Sequence, residues 1–331
     1  MISRPSSRHW GLAPLFDPAE GITIIEPLGH GHGYWAGAPS AIYDAETRRF
    51  YLYYRLRVPR ELGRGIECRI AESAGGVHFS TIWSARKDEF PTDSMERAAL
   101  VKRPGAGWLL YLSYVDPATA KWRIDVVEAR HPSEFRLAAR QKVFVAEDCD
   151  AEGVKDPYVA VFGGLYYMLA SYATHPAGNV SEQEKHGTAD IYATGKTTSN
   201  TGLAISSDGL HWRWLGDCFA PRAGTEAWDA YAARIGTLVY LPPVWTAFYD
   251  GSASVAENYE ERTGLAVSFD LRRFERVSEA APVLTSPYAS GSLRYLDAVQ
   301  LERELFYYYE YARADGSHEL RLNRVSLETA P

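Results

Sequence analysis

The chain has 331 residues, a hydrophobic content of 46% and a formal net charge of −7 at pH 7. This acidic balance argues against a nucleic-acid partner, which requires a basic face, and no window reaches the roughly 18 apolar residues of a membrane helix. The three cysteines, Cys68, Cys149 and Cys218, predict neither a disulfide framework nor a metal pair.

The localisation expected from these features is cytoplasmic. Sparse cysteines are typical of reduced thiols, and the N-terminus lacks the charged start and apolar core of a secretory signal. A mature secreted form would have the same composition, so it remains the alternative.

An internal repeat dominates the sequence. Each copy contains an aromatic-rich apolar strand, a short turn and a second such strand, followed by another hairpin whose turn is marked by small or acidic residues. The five copies cover residues 35–90, 93–148, 153–222, 226–285 and 292–327. Four-stranded units repeated radially are the blades of a β-propeller. The sequence therefore predicts an all-β fold, a single-domain five-bladed β-propeller over residues 1–331 with four antiparallel strands per blade.

The N-terminal segment 1–30 is predicted to pack on the ring or to close it. Its residues 21–27 have the β-branched composition of a short strand.

The third copy shows the pattern most clearly. Asp156-Pro157 opens it, an apolar strand follows at 158–162, and Gly163-Gly164 joins that strand to a second one at 165–170. A two-residue glycine turn between β-rich runs predicts a hairpin.

The phase of the repeat predicts where a site would lie. The first strand of a propeller blade lines the axis, so its start faces a central funnel. Those starts are 34–39, 93–97, 152–156, 226–234 and 292–297. The long connections 173–200 and 250–262 should lie at the rim, since loops of this length are usually functional or disordered.

Acidic and aromatic residues cluster at these starts. Asp156, with Lys155 beside it, either acts on a ligand or caps its own loop. Glu226 and Asp229 lie among aromatic rings that either stack on a sugar or pack between blades. Arg97, next to Glu96, is either a clamp for a ligand or a salt bridge between blades.

Hydrolysis of a glycosidic bond requires two carboxyl groups, one protonated and one ionised. Five carboxylates at the starts of four copies are candidates for this pair: Glu96, Asp156, Glu226, Asp229 and Asp297. His32, in a glycine-rich loop before Trp35, is a ligand hydrogen-bond donor in preference to a metal ligand, because His-x-His alone is a weak metal motif. Neither a metal nor a cofactor is predicted.

These motifs resemble the five-bladed propeller glycoside hydrolases of families 43, 32, 68, 62 and 130. The closest match is Lys155-Asp156-Pro157 followed by Gly164-Leu165-Tyr166-Tyr167, and the stretch from Trp228-Asp229 to Val244-Trp245 is similar to family 130. The resemblance implies that Asp156 orients a general acid and tunes its pKa, and that Glu226 is that acid. Ala38 occupies the position of the catalytic blade-one Asp of family 43, and Glu96-Arg97 stands where family 130 has Asp-Pro.

The sequence therefore predicts a carbohydrate-active enzyme acting on glycosidic bonds, either a hydrolase or phosphorylase-like. The predicted catalytic residues are Glu226, Asp156, Glu96 and Asp229. The predicted substrate-binding residues are Arg97, Arg234, His32, Trp35, Trp228, Tyr231, Asp297 and Lys155.

The expected partner is an oligosaccharide or small-molecule ligand, with no nucleic acid and no membrane. Because of Ala38, a non-catalytic carbohydrate- or small-molecule-binding propeller, or a biosynthetic enzyme that reuses the fold, is the alternative. A protein-interaction propeller would instead expose apolar patches on its blade rims.

Overall fold

The computed structural model describes residues 10–328, so residues 1–9 of the predicted N-terminal segment lie outside the described residues. Within this range the chain forms twenty β-strands and one short α-helix, α1 (Glu182–His186). The all-β prediction is confirmed. No helix of the described residues is long and apolar enough to cross a membrane.

The strands fall into five antiparallel groups, numbered here in chain order. Group 1 contains β2 (Trp35–Asp44), β3 (Arg49–Arg57), β4 (Gly65–Ser73) and β5 (Ser80–Arg86). Group 2 contains β6 (Ala99–Arg103), β7 (Gly107–Val115), β8 (Trp122–Ala129) and β9 (Gln141–Phe144). Group 3 contains β10 (Gly153–Phe162), β11 (Leu165–Ala173), β12 (Ser199–Ser206) and β13 (Arg213–Phe219).

Group 4 contains β14 (Ala232–Leu241), β15 (Val244–Ser252), β16 (Arg262–Ser268) and β17 (Glu275–Arg276). Group 5 contains β18 (Leu293–Gln300), β19 (Glu304–Ala312) and β20 (His318–Ser326). The strand expected at 21–27 forms as β1 (Ile22–Ile25) and pairs antiparallel with β20, which adds a fourth strand to this group.

Hydrogen bonding joins these groups into three sheets. Single parallel pairs, Ser199 with Ala232 and Trp35 with His318, connect groups 3 and 4 and groups 5 and 1 into two eight-stranded sheets. Group 2 is a separate four-stranded sheet.

The hydrophobic core lies between neighbouring groups rather than within one. Five buried clusters each combine residues of two groups, in the order 1–2, 2–3, 3–4, 4–5 and 5–1. A sixth cluster packs Ile191 and Tyr192, from the connection 174–198, against Trp122 of β8. The first strands β2, β6, β10, β14 and β18 contact one another in the same cyclic order.

The glycine turn of the third copy is a tight hairpin, as predicted. Gly163 and Gly164 have φ values of 59° and 79°, and β10 and β11 pair directly across them. A two-residue turn with positive φ at both positions matches the twist of the flanking strands, and glycine adopts it without a steric penalty.

A shared backbone irregularity lies near the start of three first strands. Ala38, Asp156 and Tyr295 have φ values of 53°, 52° and 51°, and the strand register shifts at each. Bulges of this kind redirect a side chain. Since none of the three is glycine, the sequence does not signal the left-handed backbone.

Group 4 begins later than the repeat predicts. The repeat places its start at Glu226, whereas β14 begins at Ala232 and residues 220–231 form a turn-rich connection. Asp229 fixes this connection, because its carboxylate accepts hydrogen bonds from Arg222 at 2.7 Å and from Arg276 at 2.6 Å.

Candidate functional site

A buried network of ion pairs occupies the centre where the first strands meet. Glu310 on β19 pairs with Arg55 at 2.9 Å and with Arg294 at 2.7 Å. Glu261, from the connection 253–261, pairs with Arg294 at 2.8 Å and with Arg234 at 2.9 Å. Buried charges are tolerated only when they are paired in this way, so the network rigidly joins groups 1, 4 and 5.

Glu96 extends this network into group 2. Its carboxylate lies 3.3 Å from Nε of Arg55 and 3.2 Å from Nη1 of Arg57. Burial by itself would raise the pKa of Glu96, but the two guanidinium groups outweigh it and lower that pKa. Glu96 is therefore an ionised carboxylate in a dry environment.

Asp156 is a buried carboxylate of the centre with unused hydrogen-bonding capacity. Its Oδ2 accepts a hydrogen bond of 3.3 Å from the phenol of Tyr295 and lies 3.3 Å from Nζ of Lys155. Its Oδ1 is buried and has no hydrogen-bond partner among the described residues. A buried polar atom without a partner is costly, so this oxygen has capacity for a further hydrogen bond.

Asp250 holds the backbone behind Tyr295. Both of its carboxylate oxygens accept the Tyr295 N–H, each at 3.0 Å. Burial, and then the negative charge of Glu261, raises the pKa of Asp250 to about 7, because the Arg294 and Arg97 charges offset only part of the lost hydration.

A cavity of about 280 Å³ lies beside the centre, and we call it the aromatic cavity. Its walls include His32, Trp35, Arg57, Arg60 and Tyr259. The Arg57 guanidinium lies 4.7 Å from the ring centroid of Trp35 and 4.5 Å from that of Tyr259. Because Arg57 also pairs with Glu96, one side chain connects the cavity to the buried carboxylates.

Several predicted site residues meet at this centre or its cavity. Glu96, Lys155, Asp156 and Arg234 belong to the buried ionic residues around the centre. Trp35 lies on the cavity wall, where its ring stacks on His318 at 4.6 Å.

The predicted residue His32 is exposed at the cavity mouth. Its side chain is 75% exposed and lies 3.3 Å from Glu260.

Arg97 and Asp297 form a separate buried pair. They are 3.6 Å apart, and burial raises the pKa of Asp297. Asp297 lines another cavity of about 270 Å³, together with Ser40, Leu100 and Tyr158 from three other first strands or their continuations.

Unlike Arg234, the other predicted residues of the fourth copy lie apart from this centre. Glu226 is exposed on the connection 220–231. Asp229 is buried, but its partners are the two arginines named above and the Tyr249 phenol at 3.0 Å. Trp228 stacks on Tyr249 of its own group at 5.5 Å and packs against the cluster between groups 3 and 4.

Tyr231 also has a structural partner. Its phenol donates a hydrogen bond of 2.6 Å to the carbonyl of Tyr192 and so holds the connection 174–198 against group 4.

Sequence reasoning missed the residues that carry most of the central charge: Arg55, Arg57, Glu261, Arg294 and Glu310. A signal was present in two of the strands. Arg55 and Glu310 are charged residues that interrupt apolar, tyrosine-rich runs, and a charge placed there requires a buried partner.

The described residues contain no group of three or more His, Cys, Asp or Glu side chains suited to a metal ion.

No family model matches the sequence, and no curated protein matches it either. Solved structures match it over nearly the whole chain. A glycosyl hydrolase from Bacteroides ovatus is 14% identical with a TM-score of 0.62, and the match covers 95% of this chain and 96% of that one. A GH43_1 enzyme from Xanthomonas citri is 13% identical with a TM-score of 0.59, covering 91% and 90% of the two chains.

A third match is described as belonging to the GH130 family of mannoside phosphorylases, which contains glycoside hydrolases that target β-1,2 mannosidic linkages in Candida mannan. It is 14% identical with a TM-score of 0.57, and the match covers 97% of this chain and 95% of that one. The chain therefore shares the fold of these glycoside hydrolase structures.

Proposed function

We propose that this chain is a carbohydrate-active enzyme that acts on the glycosidic bond of a saccharide bound at the buried centre and the aromatic cavity. We further propose that the five groups are the blades of one closed five-bladed propeller. The cyclic order of the intergroup clusters supports closure, because the last cluster packs group 5 on group 1.

The observation that carries the proposal is the free oxygen of Asp156. Asp156 is 4% exposed, and its Oδ1 has no protein partner among the described residues. A carboxylate at the centre of a rigid ionic network, with one oxygen unpaired, is preorganised for a ligand hydroxyl or a leaving-group oxygen. In the aromatic cavity, the half-buried Tyr259 ring offers a face on which sugar C–H groups stack.

Two carboxyl groups can divide the chemistry. Glu96 is held ionised by two arginines, as a base or nucleophile requires. Asp156 has the free oxygen that an acid must turn toward the leaving group. This assignment gives Asp156 the acid role that the resemblance implies for Glu226.

A second function is favoured by Ala38. Its backbone has the same left-handed conformation as Asp156, but its side chain is a methyl group and fully buried. Ala38 supplies no carboxylate at this position, and Glu96 and Glu261 are paired with arginines. A protein of this fold with these features would bind saccharides without cleaving them. Fold likeness by itself does not decide between these functions.

The test is to incubate the protein with an array of nitrophenyl glycosides, with and without phosphate. Nitrophenol release measures cleavage, and a thermal shift measures binding. For a glycoside that responds, Asp156→Asn should lower turnover by at least about 100-fold, the scale of a lost acid or base. Asparagine tolerates the left-handed backbone at this position, so folding should persist.

Glu226→Gln is the matched variant. Unchanged turnover in this variant supports the centre around Asp156, whereas its loss would restore the sequence-based assignment of Glu226. Turnover that survives Asp156→Asn would refute the proposed enzyme. Binding without nitrophenol release in the wild-type protein would favour the non-catalytic function.

A further inference from the structure

A second cavity of about 480 Å³ opens next to the aromatic cavity, and we call it the cationic pocket. Three basic side chains line it, Arg60, Arg64 and Lys87, and one acidic residue, Asp93, is exposed at its edge. Basic residues therefore outnumber acidic ones around this cavity, although the whole chain is acidic.

Two of these cations have only neutral partners. Arg60 donates to the carbonyl of Thr188 at 3.2 Å, and Lys87 donates to the carbonyl of Gly63 at 2.9 Å. Neither forms an ion pair with a described residue. Their charges are positioned by the backbone but are not neutralised, which is how a protein presents cations to an anionic ligand.

Arg64 is the buried member of the pocket. It is 5% exposed, donates to the carbonyl of Ala189 at 3.4 Å and lies 3.3 Å from the carboxylate of Asp190. Its Nε and Nη2 nevertheless make no hydrogen bond within the described residues. A guanidinium with unused donors is suited to a planar or tetrahedral oxyanion.

The two cavities are adjacent, because Arg60 lines both of them. A saccharide held in the aromatic cavity against Tyr259 would therefore place a neighbouring substituent or sugar unit in the cationic pocket. We infer that the ligand is an acidic saccharide whose carboxylate, sulfate or phosphate group binds Arg60, Arg64 and Lys87. This inference rests on the proposed function, since it names the substrate class of the same site.

The test uses inorganic sulfate and D-glucuronate as probes, titrated calorimetrically into the full chain at constant ionic strength. Both probes should bind saturably to the wild-type protein. The double variant R60Q/K87Q should bind each at least about tenfold more weakly, because each charge-assisted hydrogen bond contributes about one decade or more of affinity. Glutamine retains a polar side chain that can still donate to the loop carbonyls.

A matched control is R272Q/R273Q, which removes two exposed arginines from the turn between β16 and β17. It should bind both probes as the wild-type protein does. The inference is overturned if the wild-type protein shows no saturable binding of either probe, or if R60Q/K87Q and the control bind equally well.

The inference and the proposed function can fail separately. Neutral nitrophenyl glycosides test the centre around Asp156 without using the pocket. Their turnover should survive K87Q, because Lys87 lines only the cationic pocket, and should be lost in Asp156→Asn. Comparison of sulfate with glucuronate distinguishes a tetrahedral from a planar anion, since both titrations are made on the same proteins.

Discussion

The phenol of Tyr295 donates a hydrogen bond of 3.3 Å to Asp156, although the two residues are 139 positions apart in the chain. Both lie at left-handed positions near the start of a first strand, in groups 5 and 3. The equivalent irregularity in different copies of the repeat thus brings two reactive side chains into contact. Ala38 has the same backbone conformation in group 1 but has no polar group to add.

The first prediction concerns this contact. Tyr295→Phe removes the hydrogen bond to Asp156 and leaves the ring in place. We expect turnover or ligand affinity to fall about tenfold, and the free energy of unfolding to fall by about 1 kcal/mol, the usual contribution of one hydrogen bond. Enzyme assays and chemical denaturation measure the two effects. Tyr288→Phe, at an exposed tyrosine, should change neither the activity nor the free energy of unfolding. Wild-type turnover and ligand affinity in the Tyr295→Phe variant would show that the contact has no functional role.

The second prediction concerns the stability of the ionic centre. Glu310→Gln removes the charge that pairs with Arg55 and Arg294, and two buried guanidinium groups lose a counter-ion. Breaking a buried pair costs about 3–5 kcal/mol, which urea denaturation would measure.

Glu304→Gln breaks a pair at the surface, between Glu304 and Arg324, 2.7 Å apart. Exposed pairs contribute no more than about 1 kcal/mol. Equal losses of stability in Glu310→Gln and Glu304→Gln would contradict the interpretation of the centre as a desolvated network.

The third prediction concerns the connection 174–198, which Glu152 ties to group 3. Its carboxylate lies 2.9 Å from His175, 2.9 Å from His186 and 3.0 Å from Lys185. Burial would raise the pKa of Glu152, but these three partners lower it to about 2. Hydrogen bonds to Glu152 and then to Asp150 raise the pKa of His175.

The two pKa shifts stabilise the fold over different but overlapping pH ranges. A carboxylate with a lowered pKa stabilises the fold above its unfolded value of about 4.3, and this stability is lost as the pH falls. A histidine with a raised pKa stabilises the fold below about 6.5, and this stability is lost as the pH rises. The connection should therefore be most protected from hydrogen exchange between about pH 5 and 6.5.

Amide exchange corrected for intrinsic rates would measure this profile, with the amides of β7 as an internal reference. Glu152→Gln should flatten it across the connection while leaving β7 unchanged. Identical profiles for the variant and the wild-type protein would show that the His–Glu contacts do not hold this segment. Lys185 also pairs with Glu182, which should contribute only weakly because that carboxylate is exposed.

The fourth prediction concerns the thiols. Cys68, Cys149 and Cys218 are all free, and burial raises the pKa of Cys68 to about 12 and also raises the pKa values of the other two. Since the thiolate is the reactive species, none should react readily with a disulfide reagent in the native protein. All three should react once the protein is denatured. Rapid labelling of any one of these thiols in the native protein would show that this thiol is accessible to the reagent and not buried.

Much of the architecture could be predicted because residues close together in the sequence specify it. Alternating and aromatic-rich runs specify strands, and Gly163-Gly164 specifies a hairpin turn. Repetition of these local signals predicts a multi-sheet all-β fold, and Asp156-Pro157 marks one residue of the centre. The sequence by itself determined these features, since each depends on residues within a few positions of one another.

Only the tertiary structure decided which charges meet. Glu226 and Asp156 both open copies of the repeat, yet one is exposed and the other lies in the centre. Glu261 reaches Arg294 and Arg234 from a connection that has no strand pattern. Such pairing follows from how separate sheets pack and from how much hydration each charge loses. Both depend on residues far apart in the chain, so no local pattern records them.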